Sequence, residues 1–146
     1  MFLKTTLAPG MYHGFNKQPP FFEGWYYKLV SADESHKVAV IPGVILGKEA
    51  HAFVQVLNGT DGTTAYHTFP FQQFQADPSR FALQIDRNRF DSSRLLLDIK
   101  RPEGQIEGDI QLGPLNPWPV TLFSPGIMGM VCLGAAHGVL SWRIKF

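Results

Sequence analysis

Hydrophobic and polar positions alternate with a period of two along most of this chain, and that period predicts strands. Residues 21–30 (FFEGWYYKLV) are aromatic-dense and extended in character. Residues 36–46 (HKVAVIPGVIL) are β-branched on both sides of Pro42-Gly43, a pair expected to bulge or bend the strand. Residues 51–57 (HAFVQVL) run into Asn58-Gly59, a strong hairpin signal, with Thr64–Phe71 returning. Phe81, Leu83 and Ile85 alternate with Ala82, Gln84 and Asp86, and Leu95–Ile99 is a short apolar strand turned by Pro102-Glu103-Gly104. Ile106, Gly108, Ile110 and Leu112 then alternate with Glu107, Asp109 and Gln111. No segment carries a helical period with caps, and the three prolines of GPLNPWP (113–119) preclude a regular element. Seven or eight short strands at hairpin spacing, with no room for crossover helices, predict an all-β antiparallel barrel or sandwich.

Composition refines this picture. The 146 residues suit one domain; they include 12 Phe and only 17% charged residues, a balance fitting an apolar barrel interior or a surface that meets something greasy. The 13 basic and 12 acidic residues are intermingled, so nucleic acid is not an expected partner. A single cysteine, Cys132, excludes an internal disulfide framework. The five histidines lack metal spacing, and hydrolase, phosphate-loop and dinucleotide glycine motifs are missing, so neither metal nor cofactor is expected. With no secretory leader pattern and no apolar run of about 18–20 residues, the chain is expected to be soluble and cytoplasmic, with peripheral membrane contact left open.

The segment FFEGWYYK (Phe21–Lys28) resembles the signature that opens the tocopherol cyclase-like family. Further resemblances follow in the same order: YHGFNKQPP (Tyr12–Pro20), VAVIPGVILG (Val38–Gly47), HAFVQVL (His51–Leu57) and WPVTLFSPGIMG (Trp118–Gly129). The resemblance implies a lipocalin-like (calycin-type) barrel, one of two in family members of about twice this length. It also implies cofactor-free cyclisation of a prenylated hydroquinone to a chromanol, in which an alkene is protonated and the phenol oxygen captures the carbocation. Residues 1–129 would be the N-terminal barrel. Beyond Gly129 the family continues in a sequence like GWYAWVPxMECYHG, whereas this chain reads GMVCLGAAHGVLSW (129–142). A one-nucleotide shift of the family's codons yields every residue from Met130 to Trp142 when x is leucine. Residues 130–146 are therefore expected to be an out-of-frame tail, with Cys132 and His137 accidents of frame and the short form inactive; the alternative is a natural short variant with a divergent last strand.

Such chemistry needs a protonated acid, a dry cavity and electron-rich surface near the developing cation. Glu23 is the candidate acid, because it shares a strand face with Phe21, Trp25, Tyr27 and Leu29. The alternative is a structural Glu23 paired with Lys28, Arg80 or another base at a barrel end. Trp25 and Tyr27 are candidates to line a ligand cavity, with plain core packing as the alternative. His51, Phe53 and Gln55 share a face and could orient a hydroxyl, as could His67 beside Phe69 and Phe71, the alternative for each histidine being a hydrogen-bonded or rim residue; His13 reads as a loop anchor.

A second function class stays open: a non-catalytic lipocalin-like module holding an apolar or isoprenoid ligand. A neutral, cavity-facing Glu23 would favour chemistry, and a paired Glu23 beside a filled core would favour neither. Exposed inter-barrel surface at Phe69, Phe71, Phe74 and Trp118 is expected to drive homo-oligomerisation.

Overall fold

A computed structural model describes residues 10–102 and 104–114, and there the alternating sequence has become strand nearly wherever it occurs. The strands are β1 (Phe21–Gly24), β2 (Tyr27–Val30), β3 (Lys37–Leu46), β4 (His51–Asn58), β5 (Thr64–Pro70), β6 (Phe74–Ala76), β7 (Ala82–Ile85), β8 (Asn88–Asp91), β9 (Arg94–Arg101) and β10 (Gly104–Gln111). Two single-turn 3-10 helices, Gly14–Asn16 and Phe71–Gln73, are the helical elements among the described residues. Every pairing is antiparallel. One sheet runs β1/β2–β3–β4–β5 and the other β10–β9–β8–β7–β6, so the architecture is all-β as expected.

β1 and β2 are one edge strand in two pieces. Both keep a single register on β3, with Gly24 opposite Gly43 and Tyr27 opposite Val40. Between them the Trp25 N–H donates to the Pro42 carbonyl at 2.9 Å, but Pro42 has no N–H to return. In an antiparallel ladder a residue's donor and acceptor face the same neighbour, so the proline costs a bond only on the edge side. β3 itself runs unbroken against β4, and the bulge expected at Pro42-Gly43 is not there.

Two strands escaped the sequence pattern, β6 and β8. The short turn from β7 into β8 uses Asp86 at φ 54°, a left-handed conformation that aspartate tolerates better than most side chains. Asn88, fully buried, then braces the turn: its amide nitrogen donates to Ile85 O at 2.9 Å, and its Oδ1 accepts from Asp98 N at 3.0 Å. The Asn58-Gly59 hairpin exists, but its left-handed residue is Gly62, at φ 75°.

The inward faces meet in one core. Val38, Val40, Val44, Ala52, Val54, Val56 and Phe69 from the first sheet pack with Leu83, Ile85, Phe90, Leu95, Leu97 and Ile99 from the second. Arg101 joins the sheets at one end, donating from Nη2 to Thr68 O at 3.0 Å with its guanidinium 5.0 Å from the Phe69 ring centre. Phe69 is therefore buried, and Phe71 and Phe74 lie partly buried against the core. The exposed surface expected at these three phenylalanines is not where the apolar exposure lies. Trp118, the SPGIMG segment and residues 130–146 fall outside the described residues.

Candidate functional site

Glu23 is the most deeply buried carboxylate among the described residues, at 2% exposure on the inward face of β1. Its partner is neither Lys28 nor Arg80. The segment before β1 folds back so that the His13 N–H donates to Glu23 Oε2 at 2.8 Å, while His13 Nδ1 lies 2.6 Å from Glu23 Oε1. A carboxylate taking both a backbone and a ring hydrogen bond fixes the imidazole's orientation and the tautomer that carries its proton on Nδ1. Nε2 of His13 is buried and has no hydrogen-bond partner among the described residues. This ring nitrogen can accept a proton when neutral and donate one when charged.

Aromatic rings assemble beside Glu23. Tyr12 packs against Phe15, Phe21, Trp25 and Phe74 with centroid distances of 4.9–6.3 Å. Trp25 Nε1 donates to Gly10 O at 2.8 Å, tying the same segment to the sheet. Burial, and then the nearby Glu23 charge, push the Tyr12 phenol above its ordinary pKa. Gly14 permits the fold-back, because a Cβ there would sit 2.3 Å from Tyr12 Oη.

Phe21, Glu23, Trp25, Tyr27 and Leu29 do share one inward side, as their spacing requires. Trp25 packs 6.0 Å from Phe81, and Tyr27 sits 6.0 Å from Phe90 with its hydroxyl 3.4 Å from Asp91 O. Burial pushes the Tyr27 phenol far above its ordinary range. His67 is also buried on the inward side, opposite Val54.

His51, Phe53 and Gln55 lie on the other side of the sheet. β4 turns Ala52, Val54 and Val56 into the core, so the alternate positions face outward. There His51 Nε2 lies 3.2 Å from Tyr66 Oη, and Phe53 stacks on Tyr66 at 5.0 Å. The residues expected to form one ligand site are thus divided by the sheet into an inward group (Glu23, Trp25, Tyr27, His67) and an outward group (His51, Phe53, Gln55). The run Ala52-Val54-Val56, apolar throughout, was the signal for the inward side. His13 was missed as a partner for Glu23 because no strand period reaches across their ten-residue separation.

The described cavities lie elsewhere. One, of about 720 Å³, opens on the outward side of the second sheet beside Arg89, Leu96 and Asp109; the other, of about 220 Å³, lies in the seam beside Thr68, Gln73 and Arg101. Among the described residues no cluster of His, Cys, Asp and Glu could hold a metal, and no helix is long and apolar enough to cross a membrane. No family model, curated protein or solved structure matches this chain.

Proposed function

We propose that this chain is the lipocalin-like barrel half of a tocopherol cyclase-like protein, and that the Glu23–His13 pair is its proton-handling site. The ligand would be an apolar, prenylated aromatic alcohol. The observation that carries this reading is the Glu23 carboxylate holding His13 through both its N–H and Nδ1 while Nε2, buried, has no hydrogen-bond partner among the described residues. In this reading the terminal proton belongs to His13, with Glu23 behind it. Charged His13 gives its Nε2 proton to the alkene carbon, and Glu23 stabilises the imidazolium. The phenol oxygen bonds to the resulting carbocation and returns its proton to Nε2. The sum is an isomerisation that needs no cofactor.

A second reading is binding without turnover, with Nε2 receiving a ligand hydroxyl. A paired Glu23 beside a filled core favours neither reading by itself, since Val40, Val44, Val54, Ile85 and Leu95 have no exposed surface and neither described cavity includes the pair.

Fluorescence titration with a prenylated hydroquinone, combined with product analysis for the chromanol, tests both. His13→Ala is expected to weaken binding by roughly tenfold, the equivalent of one buried hydrogen bond to a polar ligand group. Chromanol formation lost in His13→Ala supports the first reading, and binding without product supports the second. Equal titration and equal product formation in wild type and variant would end both.

A further inference from the structure

The outward side of the first sheet is built to be covered. Its columns are β1/β2, β3, β4 and β5, and their registers place Phe22, Ile45, His51 and Pro70 in one row, with Gly24, Gly43, Phe53 and Thr68 in the next. Tyr26, Ile41, Gln55 and Tyr66 lie beyond, followed by Lys28, Ala39, Leu57 and Thr64. Only Lys28 is charged in these four rows, and no carboxylate lies among them.

The face also carries its own relief. Phe22, Tyr26 and Tyr66 are 56%, 45% and 48% exposed. Phe22 leans over Gly24, where a Cβ would lie 3.4 Å from its Cζ. Phe53 reaches over Gly43, where a Cβ would meet its ring at 2.3 Å. Phe22 lies parallel to Phe53 within 8°, and Tyr66 to Phe53 within 23°. The half-exposed rings thus stand on a layer already packed by Phe53, and one charge-poor patch presented by both copies is what an isologous contact uses.

Size selects the occupant. Strands lie about 4.8 Å apart and rise about 3.3 Å per residue, so four columns about eight residues long span roughly 19 by 26 Å. Two copies would remove about 1,000 Å² of flat area, the threshold for a specific protein interface. Lys28, with Lys37 in the row after it, falls short of the cluster of about four or more basic residues that an anionic lipid surface selects.

We propose that the outward face of the β1/β2–β3–β4–β5 sheet is the contact between two copies of this chain, with Phe22, Tyr26 and Tyr66 as its anchors. This contact is independent of the Glu23–His13 pair, which lies on the opposite side of the sheet. Sedimentation velocity on the full chain over a wide concentration range is expected to show a monomer–dimer equilibrium. Tyr66→Lys and Phe22→Lys, read separately, should each raise the dimer dissociation constant by roughly 30-fold or more, as for an interface anchor. Their far-UV circular dichroism should match wild type, because both side chains are half exposed. Arg89→Glu, on the outward side of the other sheet, should leave the equilibrium unchanged. A wild-type chain that stays monomeric throughout, or folded ring variants that dimerise as tightly as wild type, overturns the proposal. Flotation of wild type with anionic vesicles, lost in the ring variants while no dimer forms, would assign the face to lipid instead.

Discussion

The two sheets of this protein differ in what they show on the side away from the core. In the second sheet each strand is amphipathic: Leu95, Leu97 and Ile99 point inward, and the outward positions of β9 and β10 carry ion pairs. Arg94 Nη2 lies 2.6 Å from Asp109 Oδ2, and Lys100 Nζ lies 2.9 Å from Glu107 and 3.3 Å from Asp98. In the first sheet β3 is apolar on both sides, and its outward neighbours are aromatic rings. An antiparallel sheet facing water on one side alternates cleanly; one apolar on both sides matches cover on both. Charge pairing thus keeps one outward face in solvent, while ring stacking prepares the other for contact.

The largest effect separates the shared core from both outward faces. Phe90→Ala, at 1% exposure, is expected to cost about 3–5 kcal/mol through lost burial and the cavity left behind. Urea denaturation measures it, and a loss under about 1 kcal/mol would mean that the sheets are not closed on one another at this ring. Next in size is a matched pair of glycines. Gly43→Ala drives a methyl into the Phe53 ring and to 3.0 Å from Glu23 O, a cost of about 1–3 kcal/mol. Gly108→Ala, which meets nothing within 4 Å, should be neutral or stabilising by up to about 1 kcal/mol. Equal responses at the two glycines would erase the contrast between the faces.

The smallest effect is acid sensitivity of the charged face. Hydrogen bonds from Lys100 and Arg94 hold Glu107 and Asp109 below their ordinary values of 4.5 and 3.8. A carboxylate whose folded pKa is depressed stabilises the fold above its unfolded pKa, and that contribution is lost as pH falls through the folded value. The urea midpoint should therefore decline as pH drops below about 4.5, and Arg94→Met with Lys100→Met should flatten that decline. Added salt should flatten it as well, because all four groups are solvated. An unchanged profile in the double variant would show that these pairs contribute nothing measurable.

Several features were legible in the sequence because local rules govern them. Pro102-Glu103-Gly104 marked a turn, and Gly104 indeed pairs with Arg101. Ile106 and Ile110 alternate with Glu107 and Asp109, and burial follows that alternation. β8 was not legible, since Asn-Arg-Phe-Asp has one apolar residue and its inward asparagine is satisfied only by the backbone of Ile85 and Asp98. The candidate site was half legible. Glu23 among aromatic neighbours stood out by spacing, but His51, Phe53 and Gln55 were placed with it although the sheet separates them.

The sequence alone determined that this chain is strand-rich, antiparallel and charge-poor, because strand propensity and two-residue alternation act between near neighbours. Period two also bound Glu23 to the side of Phe21, Trp25 and Tyr27. Which side of β4 faces the core, what partners Glu23 and where the exposed rings gather were decided only by tertiary structure. Alternation defines two faces without saying which is inward; that choice depends on the other sheet. The His13–Glu23 pair depends on a fold-back whose geometry no local period encodes.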